Sequence, residues 1–376
     1  MAELDLAQAL GGWAKCRELS TAFYARVSED PVLSPLFPGK TYNCAIEELA
    51  AFLVQLLGGP SKDAERRWWL SLRESHLRFR IGPSERKAWL KVMAGTLRDV
   101  EMSQPMRSAL MELFEDASAH VLNTGPPVAL EPHQPGAPDV QLELRRRWEQ
   151  QRALDEAVAE VGFGAFDRVT ALVEGPLLKP CFERSRSVFA QFLSVLIHSR
   201  NITMSEYASQ ILHANPDLAH ERYSGRTLLH AASAAGNLPM VAELLKQGVN
   251  PNVQDQGGHT PLYSVANECA GGRDVVRALV QAGASVDACD GVKRCTALHM
   301  AARRDNVEVA EALLHYGANL EARDSLAETP LRRAVNCGKT SVAKLLLSRG
   351  ADPLSVGSKG LTPLAAARTK EMRSLF

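Results

Sequence analysis

SHLRFRIGPSERKAWL, residues 75–90, sets a single histidine among apolar residues and then restarts the chain. Trp69, Leu72, His76 and Phe79 lie three or four residues apart, so on a helix they share one face. Gly82 and Pro83 follow. Proline at a first helical position has no N–H to leave unbonded, so a new helix starts there and carries Trp89. The spacing predicts a short helix that aims one imidazole into an apolar pocket.

Around this block, every long segment up to residue 122 keeps helical period. Trp13, Cys16, Leu19, Phe23, Tyr24 and Val27 make one stripe, and Ala45, Leu49, Phe52, Leu53 and Leu56 make a second, stopped by Gly58, Gly59 and Pro60. Trp89, Val92, Met93, Leu97 and Val100 make a third, and Met106, Leu110, Leu113, Phe114, Ala117 and Val121 a fourth. No run alternates with period two, so this half is all-α. A lone imidazole in an apolar pocket is what haem iron needs from an axial ligand. Taken alone, a helical histidine is more often a satisfied core or surface residue.

The chain has 376 residues, enough for two or three domains with real cores. Lys plus Arg equals Asp plus Glu, 43 each; a dominant role on nucleic acid or an anionic membrane is not indicated. The start, MAELDLAQALGGW, has neither a basic run nor a long apolar core, so no signal peptide or membrane span is expected. Seven dispersed cysteines without a CxxC read as reduced thiols in the cytoplasm. Residues 123–139 hold five prolines and two glycines and read as a semi-rigid linker. The domain reading is therefore a first domain over 1–122, the linker over 123–139, a helical segment over 140–193 and a repeat array over 194–376.

The array declares itself by period. Thr227, Thr260, Thr296, Thr329 and Thr362 open the phrases TLLHAA, TPLYSVA, TALHMAA, TPLRRAV and TPLAAA, at steps of 33, 36, 33 and 33 residues. The longer step comes from two extra residues near Gly271 and one between Asp290 and Thr296. A Leu/Val pair and then Gly248, Gly283, Gly317 or Gly350 closes the second helix of the first four units, where glycine suits a left-handed residue. This pattern resembles the ankyrin repeat. The resemblance implies helix pairs with short hairpin fingers and a concave surface that binds a protein. It extends weakly back to Ser194, with Ile211–Leu212 for the leucine pair and Asn215 in the left-handed position. The pair of stripes Leu154, Val158, Val161 and Phe166, Val169, Leu172 reads as a degenerate repeat or a cap.

The first half resembles the truncated haemoglobins of the second group. The residues that carry it are the Gly11–Gly12 pair, FYARVSEDPVLSPLFP at 23–38, FLVQLLGGP at 52–60 and HLRFRIGPSERKAWL at 76–90. The resemblance implies a two-on-two helical sandwich around haem b. It puts His76 at the proximal iron-ligand position, and Tyr24, Phe37, Ala45, Leu49 and Trp89 in the distal pocket. Phe52, Leu72, Phe79, Ile81 and Met93 would wall the pocket. Many relatives have arginine just before the proximal histidine; here it is Ser75, with Arg73 and Arg78 nearby as substitutes toward the propionates. Trp68 and Trp69 replace a pair that is usually Gly-His.

By the same resemblance, Tyr24 and Trp89 offer one O–H and one N–H to a bound gas, while Ala45 leaves a small gate. The leading reading is a dioxygen- or other diatomic-gas-binding protein, a sensor or a targeted carrier, addressed to a protein partner through the repeats. One alternative is nitric oxide dioxygenation or peroxidase chemistry with an external reductase. The other is a haem-free scaffold. Arg303, Arg304, Arg332 and Arg333 fall near the face that would line an ankyrin groove, where they either meet an acidic partner or form an ordinary solvated face. His230 and His299 read as bonding neighbouring fingers, and Cys289 and Cys295 as inert thiols without a zinc spacing.

Overall fold

A computed structural model describes residues 6–37, 39, 41–59, 70–126, 139–269, 271–357 and 360–376. Pro38, Pro60, Trp68, Trp69 and residues 127–138 of the proline-rich stretch lie outside them. The described chain is all-α; its extended pairing amounts to two isolated bridges, Tyr223–Arg226 and Cys289–Thr296. It forms two compact units, Met1–Val188 and Phe189–Phe376. None of the described helices is long and apolar enough to cross a membrane.

In the first unit, α1 (Leu6–Leu10) is short because Gly11 follows in a left-handed turn, φ 112°. α2 (Gly12–Glu29) and α3 (Asn43–Leu56) pack together, α5 (Pro83–Asp99) and α6 (Gln104–His120) pack together, and α2 meets α5. Between them α4 (Leu72–His76) has only five residues. The apolar stripe through Phe79 therefore outruns its helix: Phe79 lies in the turn beyond α4, its N–H bonded to the His76 carbonyl at 3.0 Å. Pro83 opens α5 as its spacing predicts, and the Glu85 side chain reaches back to the Gly82 N–H at 2.8 Å. One core joins Leu19, Phe23, Leu53, Met93, Leu97, Leu110 and Phe114. Leu144 and Trp148 of α7 (Asp139–Phe163) are part of it, so the helix after the proline-rich stretch completes this core. α8 (Phe166–Val173) and α9 (Leu178–Arg184) follow, and the boundary between the units falls within the residues of α10 (Arg186–His198).

The second unit is a solenoid. After α11 (Ile202–Ala214), an inner row of α12 (Leu228–Ala235), α14 (Pro261–Glu268), α16 (Ala297–Arg304) and α18 (Pro330–Asn336) stacks neighbour on neighbour. The outer row is α13 (Leu238–Lys246), α15 (Arg273–Gln281), α17 (Val307–His315) and α19 (Thr340–Ser348). α20 (Pro363–Ala366) and α21 (Lys370–Arg373) end the array. Gly248, Gly283, Gly317 and Gly350 all take φ between 82° and 95° after the outer helices, which a side chain would strain. Asn215 departs from the anticipated left-handed geometry, with φ −138°. Pro216 restricts the residue before it to extended backbone, and the Asn215 amide closes α11 on the Ile211 carbonyl at 3.1 Å instead.

The finger junctions use one device in two units. His230 Nδ1 accepts from the Thr227 N–H at 3.2 Å and its Nε2 donates to the His259 carbonyl of the next finger at 3.0 Å. His299 repeats this with Thr296 and Glu328 at 3.1 and 3.0 Å. Both rings are fully buried. Burial pushes the His230 pKa down to about 4, against a smaller opposing pull from the His259 carbonyl, and lowers His299 in the same direction.

Since unfolded histidine titrates near 6.5, the unfolded chain takes up these protons first as pH falls. Stability of the array is complete above pH ~6.5 and declines toward pH ~4, by on the order of 3 kcal/mol for His230. Urea unfolding of the whole chain at a series of pH values tests this. All five tryptophans lie between residues 13 and 148, so circular dichroism that moves apart from tryptophan fluorescence reports the array. The pH slope should flatten in His230→Gln; a slope unchanged in that variant contradicts the assignment.

Candidate functional site

The His76 side chain is aimed by its own helix. Its Nδ1 lies 2.7 Å from the Leu72 carbonyl one turn back. The Ser75 hydroxyl donates to the same carbonyl at 2.7 Å and stands 2.9 Å from Nδ1. With the ring proton assigned to Nδ1, where the carbonyl accepts it, Nε2 carries the lone pair. Burial lowers the His76 pKa, Arg78 adds to that, and the Leu72 bond and the Asp155 charge oppose it. The result is a neutral imidazole, the form that ligates metal.

α4 is held at its start. The Ser71 side chain accepts from the Glu74 N–H at 3.1 Å, and the Asp155 carboxylate of α7 accepts from the Leu72 and Arg73 N–H groups at 3.0 and 3.1 Å. The turn after α4 is held by Asn123, whose side-chain amide donates to the Phe79 carbonyl at 2.7 Å and accepts from the Ile81 N–H at 2.9 Å.

A chain of rings runs from His76 into the core. His76 and Phe79 lie 6.3 Å apart, Phe79 and Phe37 5.4 Å, and Phe37 meets Tyr24 edge-on at 5.5 Å. Tyr24 stacks with Tyr42 at 5.7 Å and abuts Phe23 at 5.1 Å; Phe23 leads to Trp89 at 5.1 Å, and Trp89 to Phe114 at 5.4 Å. Tyr24, Phe37, Tyr42, Leu49, Leu72 and Trp89 are half-buried at the edge of the core, whereas Phe52, Ile81 and Met93 are buried. Ala45 stands partly exposed near the start of α3. Burial, reinforced by Glu48 and offset by Arg78, raises the Tyr24 pKa well above its ordinary value, so its phenol keeps its proton and remains a donor.

These residues suit a flat apolar group such as haem. A neutral imidazole sits beside Phe79, and a chain of half-buried rings runs from there to the protonated phenol of Tyr24. Arg73 and Arg78 are both exposed, and the Arg78 guanidinium lies over the Phe79 ring at 4.8 Å. Sequence reasoning missed Tyr42, Asn123 and Asp155. Tyr42 and Asn123 sit in loops without periodicity, and Asp155 is 79 residues from His76, so no local signal links it.

Among the described residues, no group of three or more His, Cys, Asp or Glu side chains is arranged to hold a metal ion. On the array, Arg303 and Arg304 are exposed, and Arg304 bonds Asn267 at 3.0 Å. Arg332 departs from the anticipated groove: it is 5% exposed and donates to the Leu361 carbonyl at 2.9 Å. It stands where His230 and His299 stand in their units, and its guanidinium spans the finger junction in place of an imidazole. Arg333 is half-buried and paired with Asp324.

The bacterial-like globin family matches residues 5–123, and the ankyrin-repeat family matches 196–290 and 269–357. The group 2 truncated hemoglobin YjbI of Bacillus subtilis (strain 168) is 33% identical over 106 residues, 28% of this chain and 80% of that protein. An L-asparaginase of Dirofilaria immitis is 30% identical over 193 residues, 50% of this chain and 31% of that protein. SH3 and multiple ankyrin repeat domains protein 2 of Homo sapiens is 31% identical over 143 residues, 38% of this chain and 8% of that protein. The chain thus spans under a third of the length of the last two.

Phe23, 1% exposed, is the ring that ties Tyr24 to Trp89. Phe23→Ala is expected to cost about 3–5 kcal/mol of stability in the first unit, read as a lower urea midpoint by tryptophan fluorescence. A loss under about 1 kcal/mol would show that this ring chain is not packed as described.

Proposed function

We propose, for a chain that belongs to the group 2 truncated haemoglobins through residues 5–123 and carries ankyrin repeats beyond them, that it is a haem-based binder of dioxygen or a related diatomic gas, directed to a protein partner by its repeats. The observation that carries this reading is the 2.7 Å contact between His76 Nδ1 and the Leu72 carbonyl, which leaves Nε2 as a lone-pair donor beside a pocket edge of aromatic side chains. Haem b would be held there by His76 and would supply an iron able to bind a small gas.

The chain's own residues supply the rest. His76 would provide the nitrogen that holds the iron, and Phe37, Phe79 and Leu49 would keep water from the pocket. Tyr24, its phenol kept protonated by burial, offers an O–H, and Trp89 offers an indole N–H. In apolar surroundings such donors count for more than they do in water. Ala45 offers no donor and leaves a small opening. Arg73 and Arg78 are the cations nearest the proximal helix in sequence and are proposed to meet the propionates. On the repeats, the exposed Arg303 and Arg304 are the proposed contacts to an acidic partner; Arg332 is committed to its finger junction. Tight retention of gas suits sensing or targeted delivery better than bulk transport, in which release must be easy.

Each donor is worth about 1 kcal/mol net, or about fivefold in dissociation rate. Stopped-flow dioxygen dissociation from the reduced, haem-loaded chain is therefore expected to quicken by about fivefold in Tyr24→Phe and again in Trp89→Phe. Rates that neither substitution changes would defeat the proposed distal roles.

A further inference from the structure

A five-residue helix has too few internal hydrogen bonds to stand alone, yet α4 must present His76 in one orientation. Part of what holds it comes from outside the region matched to the globins. α7 approaches the start of α4 with a carboxylate, Asp155, that is only 4% exposed. Asp155 Oδ1 accepts from the Leu72 N–H at 3.0 Å and from Gln151 Nε2 at 2.6 Å. Oδ2 accepts from the Arg73 N–H at 3.1 Å and from His120 Nε2 at 2.8 Å. Gln151 also donates to the Leu70 carbonyl at 3.1 Å. With Ser71 taking the Glu74 N–H at 3.1 Å, all of the first three N–H groups of α4 are bonded.

The charge has the right sign, because an anion at a helix N-terminus complements the partial positive charge there. Eight residues earlier on the same helix the complementary match is made on α3: Arg147, 4% exposed, donates to the Leu56 carbonyl at its C-terminal end at 3.3 Å. A single helix thus places a negative group at the start of the helix that carries His76 and a positive group at the end of the helix that carries Ala45 and Leu49.

We propose that Asp155 is a positioning residue for His76. It fixes the Leu72 peptide, and the Leu72 carbonyl in turn fixes the His76 ring through Nδ1. The link is short: carboxylate to the Leu72 N–H at 3.0 Å, and the Leu72 carbonyl to Nδ1 at 2.7 Å. Outer partners of this kind set the orientation and basicity of a ligating imidazole. The inference rests on the reading of His76 as the haem ligand, and its test separates the two.

The experiment compares the full chain with Asp155→Ala and Asp155→Asn, the second keeping one carboxyl-like oxygen and the size of the side chain. The first readout needs no haem: amide hydrogen exchange in the apoprotein. Exchange at Leu72 and Arg73 is expected to quicken at least tenfold in Asp155→Ala and less in Asp155→Asn, with α5 and α6 unchanged. The second readout is the iron–histidine stretching band of the reduced, haem-loaded chain, which should fall in frequency in Asp155→Ala and be partly restored in Asp155→Asn. Unchanged exchange at Leu72 and Arg73 overturns the proposal, as does equal acceleration throughout the unit. Faster local exchange with an unmoved band also overturns it, since Asp155 would then be merely structural. A wild-type chain without an iron–histidine band would defeat the haem reading, while the exchange comparison would still decide whether Asp155 holds the helix.

Discussion

The hydrogen bond from His76 Nδ1 to the Leu72 carbonyl, 2.7 Å long, decides which ring nitrogen carries the proton, and the chemistry proposed for the first unit depends on it. An imidazole is a ligand only through a nitrogen that carries no proton. Burial adds to the effect by favouring the neutral ring. The bond is strictly local, one turn of a five-residue helix, so its direction is only as good as the hold on that helix. Ser71, Asp155 and Asn123 supply the hold from three different parts of the chain.

Tyr24 and Trp89 follow a different logic. They are placed by packing: edge-on, tilted and stacked contacts with Phe23, Phe37, Tyr42 and Phe114 at 5.1–5.7 Å set their rings. Such contacts favour offset geometries over face-to-face stacking. The second unit is built from yet another rule, in which each repeat buries its face on the next and, in three of the units, a buried polar side chain crosses the finger junction. His230, His299 and Arg332 perform that crossing with different chemistry and the same target, a backbone carbonyl of the following finger.

Much of this was legible in the sequence because it is written locally. Helical period predicted the four stripes of the first unit, Pro83 marked a helix start, and the repeating threonine and glycine positions predicted the solenoid. His76, Tyr24, Phe37 and Trp89 could be singled out by their place in recognisable phrases. What escaped was set by contacts distant in sequence or by a neighbouring residue. Asp155 and Asn123 act across 83 and 44 residues, Tyr42 lies in a loop, Pro216 overrides the left-handed preference of Asn215, and Arg332 turns into a junction that its charge would argue against. The short helix expected around His76 is five residues long, and its apolar stripe continues through the turn to Phe79.

The central claim is that His76 is the axial ligand to haem, and chemical rescue tests it most directly. Haemin is added at one equivalent to the wild-type chain and to His76→Gly, and absorption spectra are taken in the oxidised, reduced and carbonylated states, with and without free imidazole. A sharp Soret band in the wild type that His76→Gly loses and imidazole restores is the predicted result. A band that His76→Gly leaves unchanged, or a wild-type chain that gives no specific haem spectrum, would contradict it.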